Sequence, residues 1–229
     1  MTSVLHVIKL SMKLTYRKYY PPEFEVRKPR VKVRNKLGGM NDAGYATQPR
    51  VKGAVIWCPA YRKWWDILKR VYCRSSNLKC PTYIDVEVCQ EWVDSFMVFR
   101  KWFFRELSKT NLGPRETQVD KDILTDLKLY SPETCILVSS RINSLLLNCR
   151  SARGHLPQGV SKYRSGYQGM VRTPDGRKRK TFPTIKQASD WYREEKIKVI
   201  NSIEIPYWLD EQLIRNRLLE IFQRQIDSE

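Results

Sequence analysis

The chain has 229 residues, of which 41% are hydrophobic and 11% aromatic, enough for one large or two small packed domains and too much for a disordered tail. Its net charge of +18 and pI near 9.8 point to an anionic partner, nucleic acid ahead of an anionic membrane. No apolar stretch approaches the length of a membrane span, and neither the six cysteines nor the two histidines fall into a recognisable zinc set.

The charge is uneven: +8 over residues 1–50, +4 over 51–149, +9 over 150–200 and −3 over 201–229. A membrane-surface protein more often gathers its charge on one amphipathic helix. The opening MTSVLHVIKLSMKLTYRKYY has no cleavable secretory pattern, so the cysteines at 58, 73, 80, 89, 135 and 149 are read as reduced and structural in a cytosolic protein.

Residues 1–52 read as a basic arm. The segment RKPRVKVRNKLGGMND breaks at Gly38-Gly39. An exposed strand, an arm lying on phosphates and a solubilising tail all fit it. AYRKWWDILKRVY then places Tyr61, Trp64, Trp65, Leu68 and Tyr72 at helical spacing. A loop, RSSNLKCPTY, leads to IDVEVCQEW, a short strand running into a turn. WVDSFMVFRKWFFREL predicts a second helix, with Trp92, Phe96, Phe99, Trp102 and Phe103 on one apolar face. Aromatic stripes of this kind are core far more often than ligand platforms.

A polar loop over 106–118 precedes TQVDKDILTDLKLYSPETCILVSS, read as two short strands around a turn, and RINSLLLNCR, which begins a helix. RSARGHLPQ reads as a linker. After it, turns at Ser165-Gly166 and Thr173–Gly176 separate three strands. Thr184 and Gln187 give a capping-box pattern before a helix with Ile185, Ala188, Trp191, Tyr192, Lys196 and Val199 on one face. The last segment predicts an amphipathic helix whose stripe, Leu213, Ile214, Leu218 and Ile221, packs back on the body.

A three-stranded sheet covered by one helix leaves one face open, and alternate residues of each strand line it. Candidates for that face are Lys162, Arg164, Gln168, Arg172, Arg177 and Arg179. Such a sheet fits the major groove, where Arg reads guanine and Gln reads adenine; Lys178 and Lys180 would favour phosphates. A solvated basic surface is the plain alternative.

Gly159-Val160, the run Tyr167 to Val171, Phe182-Pro183-Thr184, Ala188 and Trp191-Tyr192 together resemble the ethylene-response-factor (Apetala-type) DNA-binding domain. Upstream, VDKDIL, LYSPETCILV and RINSLL resemble the HNH (His-Me finger) endonuclease-like proteins of T7-like phages, and WWDILKRVY, CPTYIDVEVCQEW and FRKWF resemble their N-terminal part. The resemblance implies an α+β fold: a degenerate ββα-metal (HNH-like) core with a helical N-terminal part, then a three-stranded sheet packed on one helix and a C-terminal helix. The implied boundaries are an arm at 1–52, the HNH-like domain at 53–149, the Apetala-type domain at 150–203 and the last helix at 204–229.

The same resemblance implies one divalent cation, Mg²⁺ or Mn²⁺, held by Asp120 and Asn143 on the scissile phosphate. The family's general-base histidine is replaced by Lys121. A lysine near its ordinary pKa of about 10.4 is a poor base at neutral pH. Asp122 is then a substitute base or ligand, or Asp120 and Asp122 pair with surface cations. Cys89 and Cys135 sit where this group tends to have cysteine and are read as core. Two functions follow: a metal-dependent endonuclease acting on double-stranded DNA, or an inactive DNA-binding regulator or phage factor acting on a host protein. Either would work in the cytoplasm of an infected bacterium. RNA binding is a third reading.

Overall fold

The computed structural model describes residues 33–51, 53–73, 83–148, 154–173 and 175–228. The bulk of the expected arm (1–32), most of the loop at 74–82 and the linker core at 149–153 lie outside the described residues, with Cys80 and Cys149 among them. The fold is α+β and divides into two compact units at Ser140/Arg141.

The first unit opens with two small antiparallel pairs, β1 (Val33–Arg34) with β2 (Met40–Asn41) and β3 (Arg50–Val51) with β4 (Ala54–Val55). The turn between β1 and β2 is held by the Asn35 side chain, whose Oδ1 accepts from the backbone N–H groups of Leu37 and Gly39 at 2.8 and 3.2 Å. A Cβ on Gly39 would lie 2.4 Å from Leu68 and 2.7 Å from Trp64, so the turn is pressed onto the core. Ala43 and Tyr45 are themselves core residues. The expectation of an arm reaching residue 52 is thereby corrected for its described part: this chain is packed, because small and aromatic residues follow the basic run.

α1 (Pro59–Tyr72) starts at a proline, which has no N–H to leave unpaired in the first turn. It buries Tyr61, Trp64, Ile67, Leu68 and Val71. Of the predicted stripe, Trp65 is half-buried and Tyr72 exposed; Ile67 and Val71 take their place. β5 (Glu87–Val88) leads into α2 (Gln90–Asp94) and α3 (Phe96–Leu107). These are two helices where one was predicted. Ser95 interrupts them with an extended backbone (φ −151°), and its Oγ accepts from Val98 N–H at 3.1 Å as the cap of α3. Ser95 also donates to Asp42 Oδ2 at 2.6 Å, and Met97 N–H donates to Asp42 Oδ1 at 2.9 Å.

The core is aromatic. Phe96 meets Tyr61 edge-on at 5.1 Å and Trp64 at 5.4 Å; Trp92 meets Phe99 edge-on at 4.9 Å. Trp64 Nε1 donates to the Trp92 carbonyl at 2.7 Å, so the ring's polar end is satisfied inside. Each such buried ring stabilises the unit by about 1.5–3 kcal/mol. Cys58 and Cys135 are buried, and Cys89 packs on the same core; the described cysteines 58, 73, 89 and 135 are all free thiols.

β6 (Thr117–Asp120) pairs antiparallel with β8 (Ile136–Ser139), Thr117 opposite Ser139 and Asp120 opposite Ile136. The connection between them is more than a turn. It carries β7 (Leu129–Tyr130), which pairs in parallel with β5.

The second unit begins with α4 (Ser140–Leu145), at the boundary residue. The expected boundary at 149/150 therefore moves upstream. Gln225 and Gln158 donate side-chain N–H groups to the carbonyls of Leu146 and Leu147 at 2.8 and 3.0 Å, tying this segment to its own unit. β9 (Val160–Tyr163), β10 (Gly166–Thr173) and β11 (Gly176–Phe182) form one antiparallel sheet with β10 central. α5 (Ile185–Ser202) packs on it, capped by Thr184 Oγ accepting from Gln187 N–H at 3.3 Å.

α6 (Glu211–Asp227) packs on α5 through Ile214, Leu218 and Phe222, so 204–229 belongs with the sheet and is not a separate part. Phe222 replaces the predicted Ile221 in the stripe, and Leu213 is exposed. Arg215 closes the end of α5, donating to the carbonyls of Ile200, Asn201 and Ile203 at 2.5, 2.7 and 3.2 Å. No described helix is long and apolar enough to cross a membrane.

Candidate nucleic-acid interface

Strand register decides which side chains share a face. Val160 on β9 is opposite Gly169 on β10, and both turn toward α5. A Cβ on Gly169 would lie 2.5 Å from the Trp191 ring, so a glycine is required there for the helix to come this close. Val171 is buried on the same side, and Phe182 meets Trp191 at 5.9 Å.

The other parity faces away from the helix. It comprises Ser161 and Tyr163 from β9, Gln168, Met170 and Arg172 from β10, and Arg177, Arg179 and Thr181 from β11. Arg172 stands directly opposite Arg177, and Arg179 directly opposite Met170. All three arginines are exposed, and none has an ion-pair partner among the described residues. Like charges directly opposite across a strand pair destabilise it. Folding therefore gives no reason for this arrangement.

Four other predicted contacts lie elsewhere. Lys162 is opposite Tyr167 and shares the parity of Val160, so it falls on the helix side of the sheet, which corrects its place among the open-face residues. Arg164 occupies the β9–β10 turn with φ 51°, its guanidinium 5.4 Å from the Tyr163 ring centre. Lys178 is on the helix side and donates to Glu195 at 2.5 Å; Lys198 donates to the same carboxylate at 2.9 Å. The hydrogen bonds from Lys178 and then Lys198 hold the Glu195 carboxyl below the usual glutamate range. Lys180 lies 5.4 Å from the Phe182 ring centre.

Tyr163, Met170, Ser161 and Thr181 were missed from the open face. Anchoring the alternation on the apolar Val160 and Val171 would have found them.

In the first unit, Asp120 ends β6 and turns inward. Its Oδ1 accepts from the backbone N–H groups of Asp122 and Ile123, both at 2.9 Å. This is an Asx turn, and it lets Ile123 enter the interior fully buried. Burial raises the Asp120 pKa, the Asp122 carboxylate adds to the rise, and the two N–H bonds oppose it. Lys121 is buried: its Nζ donates to Asp122 at 2.5 Å and lies 5.8 Å from the Tyr130 ring centre. Asp120, Lys121 and Asp122 thus form one local cluster in the first unit, while Asn143 is half-buried on α4 in the second.

This cluster does not suit a divalent cation as it stands. One Asp120 oxygen already accepts from two N–H groups, and the Lys121 ammonium is paired with Asp122 beside it. Among the described residues, no group of three or more His, Cys, Asp or Glu side chains is placed to hold a metal ion. Comparison with known proteins adds no assignment: no family model, no curated protein and no solved structure matches the chain.

Proposed function

We propose that the chain binds double-stranded DNA, with the open face of the β9–β10–β11 sheet in the major groove. The observation that carries this reading is the Arg172–Arg177 pair, with Arg179 two residues along the same face. Three unpaired guanidiniums on a rigid sheet repel one another unless an anionic surface covers them. The major groove, about 12 Å wide, admits strands and offers guanine N7 and O6 to forked donors. The net charge of +18 adds long-range attraction to phosphates.

The test is anisotropy of a labelled DNA duplex titrated with the full chain, with unlabelled duplex RNA as competitor. DNA displaces the probe and RNA displaces it poorly, because the deep, narrow major groove of A-form RNA excludes a sheet. Equal competition by RNA would favour binding through phosphates alone.

Metal-dependent cleavage is the second reading. It is favoured by the order of elements, an antiparallel strand pair followed in the chain by a short helix, with Asp120 ending the first strand. Against it stands the role of Asp120 as a turn cap. Plasmid incubated with Mg²⁺ or Mn²⁺ decides: nicking that vanishes in Asp120→Asn, which keeps the cap acceptor, supports cleavage. Duplex binding without nicking supports a protein that binds DNA only.

A further inference from the structure

The middle of the open face is not cationic. Met170 lies on the central strand, 38% exposed, with Gln168 and Arg172 on either side along β10 and Arg179 opposite. Residues two apart on one strand are about 7 Å apart, so Gln168 and Met170 present adjacent tips to anything lying on the sheet. Tyr163, on the same face at the edge strand, is also exposed, at 43%. A face built only for phosphates has no use for an apolar side chain ringed by donors. On an antiparallel sheet with one face left to solvent, the outward positions are ordinarily polar.

One anionic partner presents an apolar group beside hydrogen-bonding edges. In the major groove an A·T pair shows adenine N7 and N6 next to the C5-methyl of thymine. We infer that Met170 packs against a thymine methyl while Gln168 pairs with adenine, in the same or the neighbouring base pair. The open face then reads an A·T step at its centre, and Arg179 beside Met170, with Arg172 and Arg177 toward the β10–β11 turn, reads or anchors the flanking positions on that side. This inference rests on the proposed major-groove docking and adds a sequence preference to it.

The experiment starts from a pool of random-sequence DNA duplexes, selected for retention by the full chain. The enriched duplex is then remade with deoxyuridine replacing thymidine one position at a time, which removes only the methyl group. The expected result is a loss of about fourfold in affinity at one or two positions, the equivalent of about 0.8 kcal/mol for one methyl-sized group removed from water. That loss disappears in Met170→Ala and is kept in Met170→Leu, which retains an apolar tip.

Uniform tolerance of uracil in a duplex that otherwise binds tightly overturns the inference and leaves DNA docking intact. So does a uracil penalty that Met170→Ala leaves unchanged. A pool with no retained duplex overturns the docking itself. Since Met170 is exposed, its substitution does not threaten the fold, and unchanged binding of the uracil duplex by Met170→Ala serves as the check.

Discussion

Gly159→Ala is the sharpest structural perturbation available in the second unit. Gly159 precedes β9 with φ +74°, the left-handed region, and its carbonyl accepts from Met170 N–H at 2.8 Å, which fixes the local backbone. A Cβ there would lie 2.1 and 2.2 Å from Cδ2 and Cε2 of Tyr192, far inside van der Waals contact. Tyr192 cannot easily yield, because it is buried on α5 and meets Phe222 edge-on at 6.2 Å. The left-handed backbone costs alanine about 1–2 kcal/mol. Overpacking against a fixed ring adds roughly 1–3 kcal/mol, for a total of about 2–5 kcal/mol. Gly154→Ala is the internal control: φ is +65°, the same left-handed region, but nothing lies within 4 Å of the added Cβ, so only the backbone cost applies. Native-state hydrogen exchange of the β10 amides reads the opening free energy of this unit alone. Gly159→Ala should lose more than Gly154→Ala by the overpacking share. Equal losses would refute the packing of β9 against Tyr192.

Substitutions at two further positions test buried charge. Lys196 is buried on α5 without an ion pair among the described residues, and desolvation lowers its pKa to about 8. Below that value both states are protonated and the penalty is complete. As pH rises from about 8 toward 10.5, the unfolded chain keeps its proton while the folded one releases it, so stability rises in that window. Lys196→Met should stabilise the second unit by up to about 3 kcal/mol at neutral pH and flatten that rise, read by urea denaturation at several pH values. Asp120→Ala should remove two hydrogen bonds to the backbone N–H groups of Asp122 and Ile123 and cost about 1–3 kcal/mol. Asp120→Asn keeps an acceptor and should retain most of that stability; equal losses in thermal melts would argue against the cap.

Much of the fold was legible because local signals agreed with it. The turns at Ser165-Gly166 and Thr173–Gly176 and the Thr184 cap fixed the three strands and the following helix. The aromatic spacing from Tyr61 to Phe103 located the first core. Illegible features depended on partners distant in sequence. Ser95 splits a helix because Asp42, more than fifty residues earlier, holds it. Leu129-Tyr130 pairs with Glu87-Val88 rather than with its neighbours. At the interface, three arginines and Gln168 were read from alternation, but Lys162 was assigned to the wrong face, since a one-residue change of parity moves a side chain through the sheet. Of the residues expected at a metal site, Asp120, Lys121 and Asp122 lie together and Asn143 lies in the other unit; the turn-capping bonds of Asp120 follow from the backbone path and not from residue type.

On the proposed reading, Arg172, Arg177 and Arg179 are there for DNA and not for the fold. The direct measurement is duplex affinity of Arg172→Ala/Arg177→Ala/Arg179→Ala against the unaltered chain at one fixed salt concentration, alongside the stability of both. Binding should weaken at least about a hundredfold. On the same reading stability is unchanged or raised, since the opposed charges are gone. Unaltered affinity in a folded triple variant would contradict it.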